Sequence, residues 1–121
     1  MARLANGFLK LEMLLLKIIS VGDCYGYQLV QDLAMLTDDY LHLKEGTLYP
    51  ILYKLLGDGY ITDYKVLVGK RLTRVYYHIE PKGIEYLKQL EEEYQNSIKH
   101  INNVLNWEGH RDESSSEEIS Q

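Results

Sequence analysis

The chain has 121 residues, of which 45% are hydrophobic and 26% are charged, so it has room for one compact domain with an appended element. No apolar run approaches the roughly 20 residues that span a bilayer, and the N-terminal residues do not follow signal-peptide order. The single cysteine, Cys24, excludes an internal disulfide and a CxxC site, so we expect a reducing, cytoplasmic environment.

The charge of −5 is distributed unevenly along the chain. Residues 1–39 carry three Lys or Arg against five Asp or Glu, residues 40–82 carry seven against four, and residues 83–121 carry three against nine. A nucleic acid responds to the surface within about one Debye length, roughly 8–10 Å. The acidic total therefore does not exclude nucleic-acid binding by the basic middle third.

Two helices are predicted in the first third. Apolar residues at 3/4 spacing predict a helix over Leu4–Val21. Gly22 then breaks the chain, and Asp23 is the predicted N-cap of a second helix that ends at about Leu36.

The third predicted helix extends from Glu45 to about Leu56. Its buried face is predicted to contain Leu48, Ile51, Leu52 and Leu55. Pro50 removes a backbone donor, so we expect an irregular or slightly bent first turn. The sequence Gly57-Asp58-Gly59 is predicted to end the helix.

The apolar period then changes from that of a helix to that of strands. Tyr60–Val68 and Thr73–Ile79 alternate and are rich in β-branched and aromatic residues, which predicts a hairpin with a basic tip at residues 69–72. Pro81 suits the first position of a final helix that reaches about Trp107. Residues 108–121 are polar and acidic, which predicts a disordered tail.

The final helix carries an apolar stripe at a/d spacing, interrupted by Glu91. At about 39 Å it is longer than a domain of ~80 residues is wide, so we expect it to pair with a second copy. A minority alternative is that the stripe packs on its own domain. The predicted dimer seam on this helix comprises Ile84, Leu87, Tyr94, Ile98, Ile101 and Leu105.

This order of elements predicts an α+β, mainly α fold: a winged helix-turn-helix with a long C-terminal dimerisation helix. The expected division is a winged-helix domain over residues 1–80, a dimerisation helix over 81–107 and the acidic tail over 108–121.

Four short sequences resemble the PadR family of bacterial transcriptional regulators. They are YGYQL at 25–29, EGTLYPIL at 45–52, DGYI at 58–61 and RVYYHIEPKG at 74–83. In order and at the family's spacing, they extend the resemblance over about residues 5–105. The resemblance implies a homodimeric repressor that binds an inverted repeat near a promoter and is released by a small, often aromatic, effector. It also implies that the first helix joins the final helix in the dimer interface, which adds Phe8, Leu11 and Leu15 to the predicted seam. It also places an aromatic residue such as Tyr94 in an effector pocket, for which plain packing is the alternative.

In a winged helix the third helix enters the major groove and a basic hairpin tip can reach the minor groove. The predicted DNA contacts lie on the outward face of the third helix and on the hairpin, where four cations are expected to converge. They are Lys44, Thr47, Tyr49, Tyr53, Lys54, Lys65, Lys70, Arg71 and Arg74. Alternatives remain: Tyr49 as a packing residue, Lys54 as an ordinary surface lysine, and the basic hairpin as an ordinary solvated hairpin with charges on its turn.

The sequence favours binding over catalysis, and no cofactor or metal is expected. The four histidines have no ligand spacing with Cys24 or with carboxylates, and no phosphate-binding glycine motif is present. Two other functions stay open. One is a protein–protein adaptor with an acidic surface, and the other is a ligand-binding protein with little DNA affinity. The second gains support from Tyr53, which stands where the family usually carries a basic residue, and from Leu56, at a position that is commonly charged in the family.

Overall fold

The computed structural model describes residues 10–110. Within this part the chain forms α1 (Leu11–Val21), β1 (Cys24–Tyr25), α2 (Gly26–Leu36), α3 (Glu45–Gly57), β2 (Ile61–Val68), β3 (Leu72–Ile79) and α4 (Pro81–Leu105). The predicted order of three helices, a hairpin and a final helix is confirmed, as is the mainly helical class. The predicted first helix over Leu4–Val21 is corrected: Lys10 has an extended backbone, so α1 begins only at Leu11. Phe8 and the tail beyond residue 110 lie outside the described residues.

The core lies where the first three helices meet the base of the sheet. Leu15 and Leu16 of α1, Leu29 of α2, and Leu48 and Leu52 of α3 are at most 1% exposed. The predicted inward face of α3 is therefore confirmed. Burying side chains of this size is the main stabilising contribution in a domain this small, at roughly 1.5–3 kcal/mol each.

The three strands form an antiparallel sheet in the order β1-β3-β2. The two-residue strand β1 was not predicted, and it corrects the proposed start of the second helix. Cys24 pairs with Tyr77 and Tyr25 with Tyr76, so both residues are extended and α2 begins only at Gly26. The cap position falls on Tyr25, without a side-chain cap hydrogen bond, and the expected role of Asp23 as N-cap is wrong.

Pro50 lies inside α3, in its second turn. The helix is nevertheless continuous from Glu45 to Gly57, and its first turn is regular: the Leu48 N–H donates to the Lys44 carbonyl oxygen over 2.9 Å. The proline is exposed, as is Gly46, whose carbonyl oxygen lacks its usual helical donor. Solvent can therefore satisfy that oxygen without a break in the helix.

One residue, Glu80, connects β3 to α4. Its N–H donates to the Tyr60 carbonyl oxygen over 3.0 Å, and Pro81 begins the helix as predicted. Two residues further, Gly83 packs so closely that a β-carbon would overlap the Tyr60 carbonyl oxygen. Only glycine fits this approach, which brings the first turns of α4 against the hairpin and α1. No helix among residues 10–110 is long and apolar enough to cross a membrane.

Candidate nucleic-acid interface

The outward face of α3 presents polar and basic side chains. Thr47, Tyr53 and Lys54 are exposed, as is Lys44 just before the helix. The opposite face is fixed in the core by leucines, so the orientation of these four side chains follows from the packing of the helix. Their hydroxyl and ammonium groups can donate hydrogen bonds to an anion outside the protein, and the two lysines also attract it by their positive charge.

Tyr49 lies on the same helix but has a different environment. It is half-buried and packs against the core, and its ring lies 6.0 Å from that of Tyr53. A β-carbon on Gly26 would stand 2.6 Å from the Tyr49 hydroxyl oxygen. The ring of Tyr49 therefore packs α3 against the start of α2, as the alternative interpretation of this residue held.

We call the hairpin of β2 and β3 the wing. Its tip carries two exposed cations. Gly69 adopts a positive φ of 71°, and Lys70 and Arg71 follow in the turn. This left-handed conformation favours glycine and allows a tight turn. The two side chains that follow therefore lie at the end of the hairpin, in solvent.

The expected convergence of four cations on the wing is corrected by the strand register. Lys65 pairs with Val75, and these residues share the sheet face of Asp63 and Tyr77. Arg74 is one residue out of phase with Val75, so its side chain lies on the opposite face. Lys65 and Arg74 therefore leave the wing on different sides.

Arg74 is held by an aromatic contact. Its guanidinium carbon lies 4.3 Å from the centroid of the Tyr25 ring, within the range of a cation–π interaction. A groove of about 560 Å³ separates α3 and the start of α2 from the wing. It is lined by tyrosines, with Arg74 at one wall and Asp63 at another.

The face of the sheet that carries Arg74 also carries a polar cluster that sequence reasoning missed. Asp23 accepts a hydrogen bond from the Tyr64 hydroxyl over 2.6 Å, and its other carboxylate oxygen lies 2.8 Å from Nδ1 of His78. The Tyr64 hydrogen bond and then the His78 hydrogen bond lower the pKa of Asp23. The Asp23 hydrogen bond raises the pKa of His78 and that of Tyr64, the latter to about 12.

The residues of the predicted dimer seam fall into three groups: buried, partly buried and exposed within one protomer. Leu15 and Leu87 are 0% and 6% exposed within one protomer, so their side chains belong to its own core. Leu11, Tyr94 and Ile98 are partly buried, with Tyr94 packed against the core. The remaining members are exposed, as is Val104, which the prediction omitted. They are Ile84, Ile101 and Leu105.

Cys24 belongs to the core, and the described residues hold no candidate metal centre. Burial raises the pKa of the Cys24 thiol to about 12, so this side chain is a protonated part of the core. Within residues 10–110 no group of three or more His, Cys, Asp or Glu side chains could hold a metal ion.

Three packed helices followed by a two-stranded wing with cations at its tip define a winged-helix protein. Residues 15–89 match the transcriptional regulator PadR-like family, and the chain belongs to that family.

Solved structures support this assignment. The chain is similar to a transcriptional regulator from Clostridium thermocellum, with 35% identity, a TM-score of 0.73, and coverage of 84% of this chain and 96% of that one. It is also similar to a PadR-like transcriptional regulator from Bacillus cereus, with 31% identity, a TM-score of 0.70, and coverage of 81% and 93%. A more distant neighbour in fold is Bacillus subtilis PadR in complex with operator DNA, with 24% identity, a TM-score of 0.61, and coverage of 65% and 45%.

Proposed function

We propose that this protein is a homodimeric repressor that binds an inverted-repeat DNA site, and that it acts by binding rather than by catalysis. The observation that supports this most strongly is the set of exposed polar and basic side chains on α3 and at the wing tip. They are Lys44, Thr47, Tyr53, Lys54, Lys70 and Arg71. They belong to the basic third of an otherwise acidic chain. A protein of this fold from Bacillus subtilis was crystallised with operator DNA.

The two groups of side chains suit different parts of a DNA site. Tyr53 and Lys54 on a helix can reach base edges and phosphates in a major groove. Lys70 and Arg71 on a narrow turn suit the adjacent minor groove or its phosphates. Arg74 adds a further cation on the face of the wing opposite Lys65, where its guanidinium lies over the Tyr25 ring.

The proposed dimer is supported by the free half of α4. Val104 and Leu105 are 71% and 73% exposed, and Ile101 is 42% exposed on the same part of the helix. A helix of 25 residues is about 37 Å long, so this part lies well beyond the packed core. A twofold pairing through it would set two α3 helices about one DNA turn, roughly 34 Å, apart.

Two further parts of the proposal concern regulation and location. A small aromatic effector would bind near Tyr94 in the seam and shift the dimer between DNA-matching and non-matching separations. As a regulator of transcription, the protein would act in the cytoplasm, where it meets DNA.

The experiment is a titration of fluorescent duplexes from the DNA upstream of the protein's own coding region at two salt concentrations. We expect site-selective binding that weakens as salt rises. Lys70→Ala with Arg71→Ala removes four cations per dimer. It should weaken binding to every duplex and make the salt slope shallower by about 3 to 4.

Lys88→Ala is the matched control, because Lys88 is an exposed lysine on α4, away from the wing. It should leave the salt slope unchanged. A wild-type protein that binds no duplex selectively in dilute salt would contradict the proposal. A protein that stays monomeric at micromolar concentration would contradict its dimeric form.

A further inference from the structure

The wing is attached to the core through β3 more than through β2. Tyr77 and Ile79 of β3 are buried, whereas in β2 only Ile61 is buried and residues 62–65 are all exposed. Within residues 10–110, β3 pairs with the two residues of β1, and β2 is the outer edge of the sheet. Side-chain contacts on the sheet faces therefore contribute to the angle at which the wing leaves the protomer.

Asp23 supplies such contacts across all three strands. It stands immediately before β1, and its two carboxylate oxygens meet Tyr64 of β2 and His78 of β3, residues 41 and 55 positions away along the chain. One side chain thus joins the turn after α1 to both strands of the wing.

The contact continues through aromatic rings to a predicted DNA-binding residue. Tyr64 stacks on Tyr76 with centroids 5.8 Å apart, and Tyr76 meets the Tyr25 ring edge-on at 5.4 Å. The Arg74 guanidinium lies over the Tyr25 ring. We call these six residues the outer-face cluster: Asp23, Tyr25, Tyr64, Arg74, Tyr76 and His78.

We propose that Asp23 is a positioning residue for DNA binding, which fixes the wing relative to the segment between α1 and α2 through the outer-face cluster and makes DNA affinity depend on the protonation of His78. This inference rests on the proposed function, since it concerns how the DNA-contacting wing is held. Asp23 itself carries a negative charge and acts through Tyr64 and His78.

The direction of the pH effect follows from the charged groups around His78. Asp23 faces it before β1 and Glu80 after β3, while Tyr64 of β2 and Tyr76 of β3 are the neighbouring phenols. The Asp23 hydrogen bond raises the pKa of His78 above its ordinary 6.5, so the folded protein favours the imidazolium. The His78–Asp23 contribution is therefore complete below pH 6.5 and is lost as the pH rises through the raised value.

The two hydrogen-bonded partners in this contact, Asp23 and Tyr64, do not titrate in that range. The pKa of Asp23 is lowered from 3.8, chiefly by the Tyr64 hydrogen bond, so its contribution is lost only at more acidic pH. The pKa of Tyr64 is about 12. Between pH 6 and 8.5 the change among Asp23, Tyr64 and His78 is the loss of the His78 proton.

The experiment combines DNA binding with a measurement on the DNA-free protein. Affinity for one selected duplex is measured at pH 6.0 and 8.5 at fixed ionic strength, and backbone amide exchange is measured in β2 and β3. We expect wild-type affinity to fall by about threefold at pH 8.5, a size typical of an exposed ion pair, because the His78 and Asp23 side chains are 51% and 35% exposed. Asp23→Asn should bind more weakly, lose most of the pH dependence and show faster exchange in both strands.

Two variants separate positioning from direct charge on the DNA. His78→Gln retains a donor for Asp23 but does not titrate, so its affinity should be the same at both pH values. Tyr64→Phe keeps the stacked ring and loses one hydrogen bond, which should speed exchange in β2 without altering the titration of His78. Tyr86→Phe is the matched control: it removes the Tyr86–Glu12 hydrogen bond of 2.7 Å, which also joins a phenol to a carboxylate but lies outside the cluster, and it should leave the pH dependence intact.

Equal pH dependence in wild type and Asp23→Asn would overturn the inference, because the His78 charge would then act directly on DNA. Unchanged amide exchange in both Asp23→Asn and Tyr64→Phe would overturn it as well. If the wild type bound no duplex at either pH, the proposed function would fail instead. The exchange data would still decide whether Asp23 holds the wing.

Discussion

The two halves of α4 carry the same kind of apolar stripe but meet different surroundings. In the first half Gly83, Leu87 and Leu90 are buried against α1 and the base of the wing. In the second half Val104 and Leu105 are more than 70% exposed within the protomer. The first half is therefore part of the protomer core, and the second half is an exposed apolar surface.

The difference shows that apolar residues at 3/4 spacing predict a buried helix face. The spacing does not tell whether that face packs within its own protomer or against another molecule. The same spacing places Leu87 in the core of its own protomer and Leu105 in solvent. What decides between them is the close approach at Gly83, which fixes the start of α4 against the Tyr60 backbone. From there the helix extends beyond the core because it is longer than the body it packs on.

The largest expected effect comes from removing that close approach. In Gly83→Ala the new methyl would overlap the Tyr60 carbonyl oxygen and stand 2.9 Å from Cγ1 of Ile79. Although alanine favours helices, we expect a loss of about 3 kcal/mol or more in the free energy of unfolding. Urea denaturation followed by circular dichroism measures it. Gly57→Ala, in α3 with open space around it, should be neutral or stabilising, and an equal loss there would refute the steric explanation.

A second change tests the two halves directly. Leu87→Ala should lower the free energy of unfolding by about 2–3 kcal/mol because it leaves a cavity in the protomer core. Leu105→Ala creates no cavity in the protomer, so its effect should be on dimer dissociation, measured by analytical ultracentrifugation.

The two variants should also differ in how protein concentration affects them. The Leu87→Ala loss should appear at every concentration, whereas Leu105→Ala should change the concentration dependence of the denaturation midpoint. The same behaviour in both variants would contradict the division of α4.

The smallest effect is expected at the contact between α4 and α1. The Tyr86 hydroxyl donates to Glu12 Oε1 over 2.7 Å, while its ring stacks on Tyr60 at 4.2 Å. Tyr86→Phe keeps the stacked ring and removes the hydrogen bond, so we expect a loss of about 1 kcal/mol in the free energy of unfolding. Glu12→Gln retains an acceptor and should lose less, and the reverse order would show that the hydrogen bond is unimportant.

Local signals in the sequence predicted most of the fold. The end of α3 at Gly57, the strands on either side of residues 69–71 and the start of α4 at Pro81 all agree with the sequence to within about one residue. Each is determined by neighbours a few positions away, through a glycine, a proline or a change of apolar period.

Features that depend on distant partners were missed. Two extended residues such as Cys24 and Tyr25 have no period, and their pairing with β3 cannot be seen locally. Asp23 had the residue type of a helix cap, but its partners are 41 and 55 positions away. Whether Lys65 and Arg74 lie on the same face of the sheet depends on the register between β2 and β3. That register cannot be deduced from the sequence of either strand alone.

The single residue between the wing and α4 has a mechanical consequence. The backbone N–H of Glu80 is hydrogen-bonded to the Tyr60 carbonyl oxygen and its carboxylate to the Thr62 hydroxyl, so the connection between the wing and α4 is short and fixed at two points. A lever of about 37 Å turned by 5° moves its far end by about 3 Å. Because β3 leads directly into α4 through this hydrogen-bonded residue, a tilt at the outer end of α4 is expected to shift the strand that carries Arg74.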